Sequence, residues 1–231
     1  MSSLPLSRPL SRWPLAELPA TSLSRARDRF FVDNDFGPDG GYDAPHQDAV
    51  LAGVPYRTPN GPARAEALRR HDLHHLLTGY ATDWQGEAQI SAWELGSGGA
   101  GLVWYAWLIA LWGLFSGLLG DPMGMLRAFV RGRGSMNLYA VRVDAALLER
   151  RVVDVGASLG VRSALHGRAF WHASVPLWKR GLDAVAFAAW SVVSVAYVVS
   201  VLPILMGLIT AGMVVALRAR SVCCPVRLMA S

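Results

Sequence analysis

One stretch decides the fold of this chain: RRHDLHHLLTG, from Arg69 to Gly79. It closes a segment, Pro62 to Leu77, of strong helix formers with no Gly or Pro after its first residue, and Gly79 suits a C-terminal helix cap. On that helix His71 and His75 are four residues apart, so they share one face with about 6 Å between their stems. Both imidazoles can therefore reach one metal ion.

A second helix is predicted directly after the first. Thr82 and Gln85 have the spacing of a capping box, and residues 87–93 continue at helical periodicity. Because only two or three residues remain for the turn, we expect an antiparallel helix pair. At a rise of about 1.5 Å per residue, Glu87 then lies at a height similar to that of His75 on the facing helix. Its carboxylate can close the site.

Four side chains are thus predicted to bind a metal ion: His71, Asp72, His75 and Glu87. Histidines combined with carboxylates are typical of a hydrolytic or Lewis-acid centre that leaves a position for water or substrate, because structural zinc sites favour thiolates. His74 lies about 100° around the helix from His75 and is predicted either to support the ligands or to face solvent. The alternative to a metal site is a set of solvated histidines on an Arg-rich helix.

This pattern resembles the ubiquinone (coenzyme Q) biosynthesis protein four family. The family signature is His-Asp-x-x-His, eleven intervening residues and Glu, which residues 71–75 and Glu87 match. The His-x-Leu-x-Gly of residues 75–79 and the pair Gly86-Glu87 also fit. The family's closing segment is similar to Leu126–Arg133, Val143-Asp144, Leu147-Leu148 and Val155–Val161. The resemblance covers roughly residues 25–162.

The resemblance implies an all-helical, membrane-associated protein that binds an isoprenoid-tailed quinone precursor. It implies a metal ion on the motif residues, zinc or else manganese or iron. The implied reaction is decarboxylation at C1 of a prenylated hydroxybenzoate, with or without hydroxylation there; the alternative is a non-catalytic scaffold that organises other quinone-biosynthesis enzymes. The chain departs from the family in its very apolar middle helix, its short region ahead of the motif and its C-terminal region, which has no counterpart.

The ligand chemistry suggests how such a carboxy-lyase would work. The ion would bind the carboxylate or phenolate of the ring and stabilise negative charge that develops there. Asp72 would be either the fourth ligand or a base. In a further alternative, an unrelated membrane metallohydrolase, Asp72 takes the part of Glu in a His-Glu-x-x-His site.

Composition favours a protein at a membrane. Apolar residues make up 52% of the chain, charged residues make up 17%, and the mean hydropathy is +0.29, whereas soluble proteins have about 25% charged residues. The net charge of +5 comes almost wholly from arginine, since Lys179 is the only lysine. These charges are spread along the chain instead of forming a nucleic-acid stripe, and they suit an anionic surface. We expect an inner or cytoplasmic membrane, with the domain on the cytoplasmic or matrix side.

Residues 100–119 form the first long apolar segment, which is about long enough to cross a bilayer. Crossing there would leave basic residues equally on both sides, against the usual asymmetry. We therefore predict a buried or membrane-grazing helix, with an ordinary transmembrane helix as the alternative. Its aromatic side chains would line a slot for an isoprenoid tail: Trp104, Tyr105, Trp107, Trp112 and Phe115.

Residues 184–217 form the second apolar segment, with 34 uncharged residues between basic flanks. It is predicted to lie in the membrane. As one helix it would measure about 51 Å against a hydrocarbon core near 30 Å, and Pro203 offers a break. A kinked single anchor and a re-entrant hairpin both remain open, and the basic flanks favour the hairpin.

The predicted organisation is all-α. It comprises a flexible N-terminal arm (1–24), a helical metal-binding domain (25–162), a linker (163–183), a membrane anchor (184–217) and a basic tail (218–231).

Overall fold

Helices account for most of the protein in a computed structural model that describes residues 20–51, 54–161 and 176–223. Helix makes up 70% of the structure and strands are almost absent, which confirms the all-α prediction. The described helices are α1 Leu23–Asn34, α2 Pro62–Thr78, α3 Trp84–Gly96, α4 Trp104–Gly120, α5 Pro122–Gly132, α6 Ala145–Leu148, α7 Val152–Ser158 and α8 Leu177–Cys223.

Two short elements complete the described chain. A 3-10 turn covers Leu138–Ala140. Strands β1 (His46–Leu51) and β2 (Val54–Pro59) form an antiparallel hairpin between α1 and α2. The sequence analysis did not predict this hairpin, and it is a small addition to the helical domain.

Helix α2 has the predicted bounds for clear local reasons. Pro62 occupies its first turn, where a missing N–H costs no hydrogen bond. Gly79 ends it in the left-handed region, with φ of 76°, and donates its N–H to the carbonyl of His75. A residue with a Cβ is strained in that conformation, so the glycine fixes the end of the helix.

The start of α3 differs from the prediction. Asp83 is the N-cap, and its carboxylate accepts the N–H of Gly86 at 2.7 Å. Thr82, predicted as the cap, instead donates its hydroxyl to the side chain of Asn34 on α1 at 2.7 Å. The predicted capping box is therefore wrong, because a tertiary contact takes the threonine and the adjacent aspartate takes the cap.

Glycines let α3 approach its neighbours closely. A Cβ on Gly132 of α5 would lie 2.4 Å from the carbonyl oxygen of Trp93, and one on Gly96 would lie 2.2 Å from that of Phe129. On the α4 side, a Cβ on Gly113 would meet the hydroxyl of Ser91. Helix α3 is thus held between α4 and α5, and it carries Glu87 into the domain.

Helix α8 is a single element with Pro203 inside it, so the re-entrant hairpin is not what the chain forms. Its first turns include residues 177–183, which were predicted to be linker, and it continues through residues 218–223, which were predicted to be tail. Helix α1 likewise begins at Leu23, inside the predicted flexible arm. Among the described residues, Leu177–Val201 is the segment long and apolar enough to cross a membrane by length and composition. Residues 1–19 of the predicted arm, residue 162 of the predicted domain, residues 163–175 of the predicted linker and residues 224–231 of the predicted tail lie outside the described residues.

The first half of α8 packs on α4 and α5. Four contacts connect it to them, listed from its N-terminus: Asp183 to Arg133 (3.1 Å), Phe187 to Phe129 (ring centroids 5.6 Å), Trp190 stacked on Trp107 (5.5 Å), and the Ser194 hydroxyl donating to the Leu111 carbonyl (2.7 Å). Helix α4 lies beneath this contact and buries Ala106, Ala110 and Leu114.

Replacing Gly132 by Ala should destabilise the domain by about 1–3 kcal/mol. The added methyl group would overlap the backbone of α3, so α3 and α5 would have to move apart to make room for it. The measurement is chemical denaturation in detergent, followed by helical circular dichroism. Gly156→Ala in α7 is the control. Apart from its own helix backbone, no atom of the described residues lies within 4 Å of a Cβ built there, so its stability should be unchanged or raised by up to about 1 kcal/mol. Equal stability of the two variants would contradict the close packing.

Candidate metal centre

Three side chains from α2 and α3 bring their ligand atoms together. Nε2 of His71 lies 3.0 Å from Oε2 of Glu87, and Nε2 of His75 lies 3.3 Å from Oε1 of the same carboxylate. The ligand atoms of all three lie within 4.8 Å of one another. Two donors on one tetrahedral ion, each about 2.0–2.1 Å from it, are about 3.3 Å apart. The donor set and its spacing therefore fit a metal ion.

The second nitrogen of each imidazole is fixed by a hydrogen-bond acceptor of the protein. Nδ1 of His75 donates to the carbonyl of Tyr80 at 2.9 Å, just after the end of α2. Nδ1 of His71 donates to Oε1 of Glu94 at 2.9 Å. Each ring therefore turns Nε2 toward Glu87. Metal-binding histidines usually have this kind of support, which sets the tautomer and the ring orientation.

Glu94 holds more than His71. Its Oε1 also accepts Nδ1–H of His74 at 2.7 Å and the hydroxyl of Tyr139 at 3.3 Å. The N–H of Leu138 donates to Nε2 of His74 at 2.9 Å, so that ring is neutral with its proton on Nδ1. Burial lowers the pKa of His74, in agreement with this assignment. His74 is fully buried, so the supporting role is the one that fits, and solvent exposure is wrong.

The sequence analysis missed Glu94, Tyr80 and Tyr139. A signal for Glu94 was present, because it lies seven residues after Glu87 and so shares the same helix face. No local pattern indicates Tyr80, which acts through its carbonyl, or Tyr139, which comes from a distant segment.

Asp72 occupies a different position from the other three predicted ligands. It is buried, and its Oδ2 accepts the hydroxyl of Tyr42 at 2.6 Å. The group of three clustered ligands does not include it. Burial raises the pKa of Asp72, and the hydrogen bond from Tyr42 offsets part of that shift. Its role as a ligand or base stays a prediction.

The charges in the centre alternate. Burial acts to lower the pKa of His71, but the carboxylates of Glu94 and Glu87 outweigh it and hold that pKa well above its usual value. Burial acts in the opposite sense on Glu94, and His71 and His74 together lower its pKa to about 2. The pKa of Glu87 is likewise well below its usual range, because its hydrogen bonds with His71 and His75 outweigh desolvation. His71 is therefore a cation between two anions.

The five aromatic residues predicted to line a slot for an isoprenoid tail all lie on α4 but do not form one group. Trp104 is 60% exposed and lies against Tyr105. Trp107 stacks on Trp190 of α8, whereas Trp112 and Phe115 contact each other at 6.1 Å. Their role in binding an isoprenoid tail stays a prediction.

Comparison of the chain with protein-family models, with curated proteins and with solved structures finds no match. The resemblance to the ubiquinone biosynthesis protein four family therefore rests on the motif residues themselves.

Glu94→Gln should weaken zinc binding by about 10–100-fold, because the amide no longer offers a negatively charged acceptor to Nδ1 of His71. Affinity is measured by competition with a chromophoric chelator in detergent. Glu149→Gln removes an exposed carboxylate at the residue that follows α6 and should bind zinc as the parent does. Unchanged affinity in Glu94→Gln would show that the glutamate does not support the ligand.

Metal binding at neutral pH should release a proton from His71. The raised pKa keeps the ring protonated when no ion is bound, and an ion on Nε2 must replace that proton. Affinity should therefore rise from pH 6 to pH 8. Titration calorimetry in two buffers of different ionisation enthalpy measures the released proton directly, and equal heats in both buffers would contradict the assignment.

Proposed function

We propose that this chain is a metal-dependent carboxy-lyase of ubiquinone biosynthesis that acts at a membrane on a prenylated hydroxybenzoate. One observation carries the proposal: His71, His75 and Glu87 direct three ligand atoms to one place, and the two histidines are already oriented by fixed acceptors. The motif that supplies these residues is also the most specific part of the family resemblance. The apolar helix α8 supports action on a lipid-like substrate.

The residues fit a divalent ion such as zinc, manganese or iron, because imidazole and carboxylate suit all three. When bound, the ion would supply positive charge beside a substrate oxygen and so stabilise negative charge that develops on the ring as carbon dioxide leaves. Glu87 is the ligand nearest the surface, with a side chain 42% exposed against 5% for His71 and 1% for His75. A substrate would therefore approach from the side of Glu87.

Asp72 is the proposed acid or base. Loss of carbon dioxide breaks the bond between C1 and the carboxyl carbon, and a proton must take its place on C1. Burial raises the pKa of the Asp72 carboxyl group, which makes it a better proton carrier than an exposed aspartate. Tyr42 holds one oxygen of this group and leaves the other free to exchange a proton.

The test compares His75→Ala with the parent protein, both purified in detergent and loaded with zinc, manganese or iron. We expect about one ion per chain and release of carbon dioxide from a prenylated 4-hydroxybenzoate in the parent, and loss of both in the variant. Truncation removes a ligand that is nearly fully buried, so helical circular dichroism must show that the variant stays folded. His46→Ala removes an exposed histidine outside the group of clustered ligands and is the matched control.

The outcomes separate the proposal from its alternatives. Turnover that survives without metal would overturn it. A parent protein that binds metal and prenylated lipid without turnover would favour the scaffold, especially if His75→Ala also unfolds. Cleavage of esters or amides that is lost in Asp72→Asn would favour a metallohydrolase.

A further inference from the structure

The contacts of α8 define its direction relative to its neighbours. Its residue numbers rise together with those of α4, since Trp190 stacks on Trp107 and Ser194 bonds to Leu111. They fall as those of α5 rise, as the pairs with Phe129 and Arg133 show. Helix α8 is therefore parallel to α4 and antiparallel to α5. We call residues 177–201 the packed half of α8 and residues 202–223 the distal half.

These directions allow positions along the axes of α4, α5 and α8 to be compared on one common height scale. Both pairs between α4 and α8 have the same offset in residue number, and all α-helices rise by about 1.5 Å per residue. The end of α4 at Gly120 consequently lies at the height of about Pro203. The packed half contacts α4 at Trp107 and Leu111, on this scale it shares the heights of the rest of α4 as well, and α8 continues as a helix to Cys223.

The packed half is the apolar segment most easily taken for a membrane span, yet it shares its height with charged protein surface. Arg127 of α5 is exposed, and its position two residues before Phe129 puts it near the height of Trp190, the middle of the packed half. A bilayer around the packed half would place this arginine in hydrocarbon. Charged side chains at that depth are costly. The packed half also exposes large apolar side chains, namely Leu177, Trp178, Leu182, Val185, Val192, Val193, Val195 and Val199, so a register that keeps it out of the bilayer leaves this apolar face in water.

The other end of the domain has a surface suited to lipid headgroups. Trp84 at the start of α3, Leu119 at the end of α4 and Met123 at the start of α5 are 67%, 77% and 56% exposed. They belong to one end of the domain, because the side chain of Gln85 donates to Asp121 in the α4–α5 turn at 3.2 Å. We call Trp84, Leu119 and Met123 the tip. On the common scale the tip lies near Pro203.

We propose that α8 crosses the bilayer with residues 201–217 and that the tip lies in the adjacent headgroup layer. This segment has 17 uncharged residues, which is within the range of about 17–25 that spans a bilayer. Arg218 and Arg220 follow it and mark the far surface. The packed half then stands in water beside the domain, and Pro203 lies where the helix enters the lipid.

This register sets the distance between the metal centre and the membrane. Glu87 is three residues after Trp84 on α3, and a Cβ on Gly117 of α4 would lie 2.8 Å from the side chain of the next residue, Ala88. The exposed ligand of the centre is therefore about one helical turn above the tip. A headgroup that rises from the lipid by that amount meets Glu87 first.

Two single-cysteine variants test the register, made after Cys223 and Cys224 are replaced by Ser. Val192→Cys lies in the packed half, where Val192 is 68% exposed. Gly207→Cys lies in the distal half, where no atom of the described residues outside the backbone of α8 is within 4 Å of a Cβ built on Gly207. The proteins are reconstituted in phosphatidylcholine–phosphatidylglycerol vesicles and treated with a membrane-impermeant maleimide during freeze–thaw, so that the reagent reaches both surfaces. Detergent with urea is the control in which both cysteines must react, and circular dichroism checks that both variants are folded.

The expected result is full labelling at position 192 and none at position 207 until detergent and urea are added. Protection of 192 with labelling of 207 would place the packed half in the bilayer and overturn the proposal. Labelling of both would show that α8 does not enter lipid. Protection of both would show that the packed half is shielded from the aqueous reagent as well. Each of these two results also overturns the proposed register.

Discussion

The buried carboxylate of Glu94 is the interaction on which the rest of the domain depends. A charge that is 1% exposed is tolerable only when donors surround it. Here His71 and His74 from α2 and Tyr139 from the 3-10 turn all donate to its Oε1. Three parts of the chain that are far apart in sequence must therefore meet at one atom. Its other oxygen, Oε2, has no hydrogen-bond partner among the described residues. All three of these hydrogen bonds therefore depend on one acceptor atom, Oε1.

The helix packing provides the place where this carboxylate can be buried. Asn137 donates to the Glu94 carbonyl, the Ser97 hydroxyl and the Gly99 carbonyl, so the segment after α5 is tied to the end of α3. The close approach of α3 to α5 at Gly132 brings that segment into reach. The close packing of α3 on α5 and the hydrogen bonds to Glu94 thus both hold α3 in the same position. Because Glu87 lies on α3, both also fix where its carboxylate lies.

Sequence reasoning found the parts of the centre that are local. His71 and His75 are one turn apart, and the cap at Gly79 fixes where their helix stops, so α2 could be predicted from spacing alone. Glu87 followed from the shortness of the connection. Thr82 was misassigned as a helix cap because its hydroxyl donates to Asn34 on α1. Asn34 is 48 residues earlier in the chain, so the residues around position 82 give no sign of this contact. The break at Pro203 was likewise overestimated, because a long apolar helix tolerates one missing hydrogen bond.

The two histidines differ in what holds them. The partner of His71 is a side chain, so substitution at position 94 can change the basicity of that imidazole step by step. The partner of His75 is the main-chain carbonyl of Tyr80, which every residue type provides. One half of the centre is thus open to adjustment by mutation, while the other is fixed by the path of the backbone. Variation among related chains should therefore adjust the basicity of His71 through α3, and leave the turn after α2 unchanged.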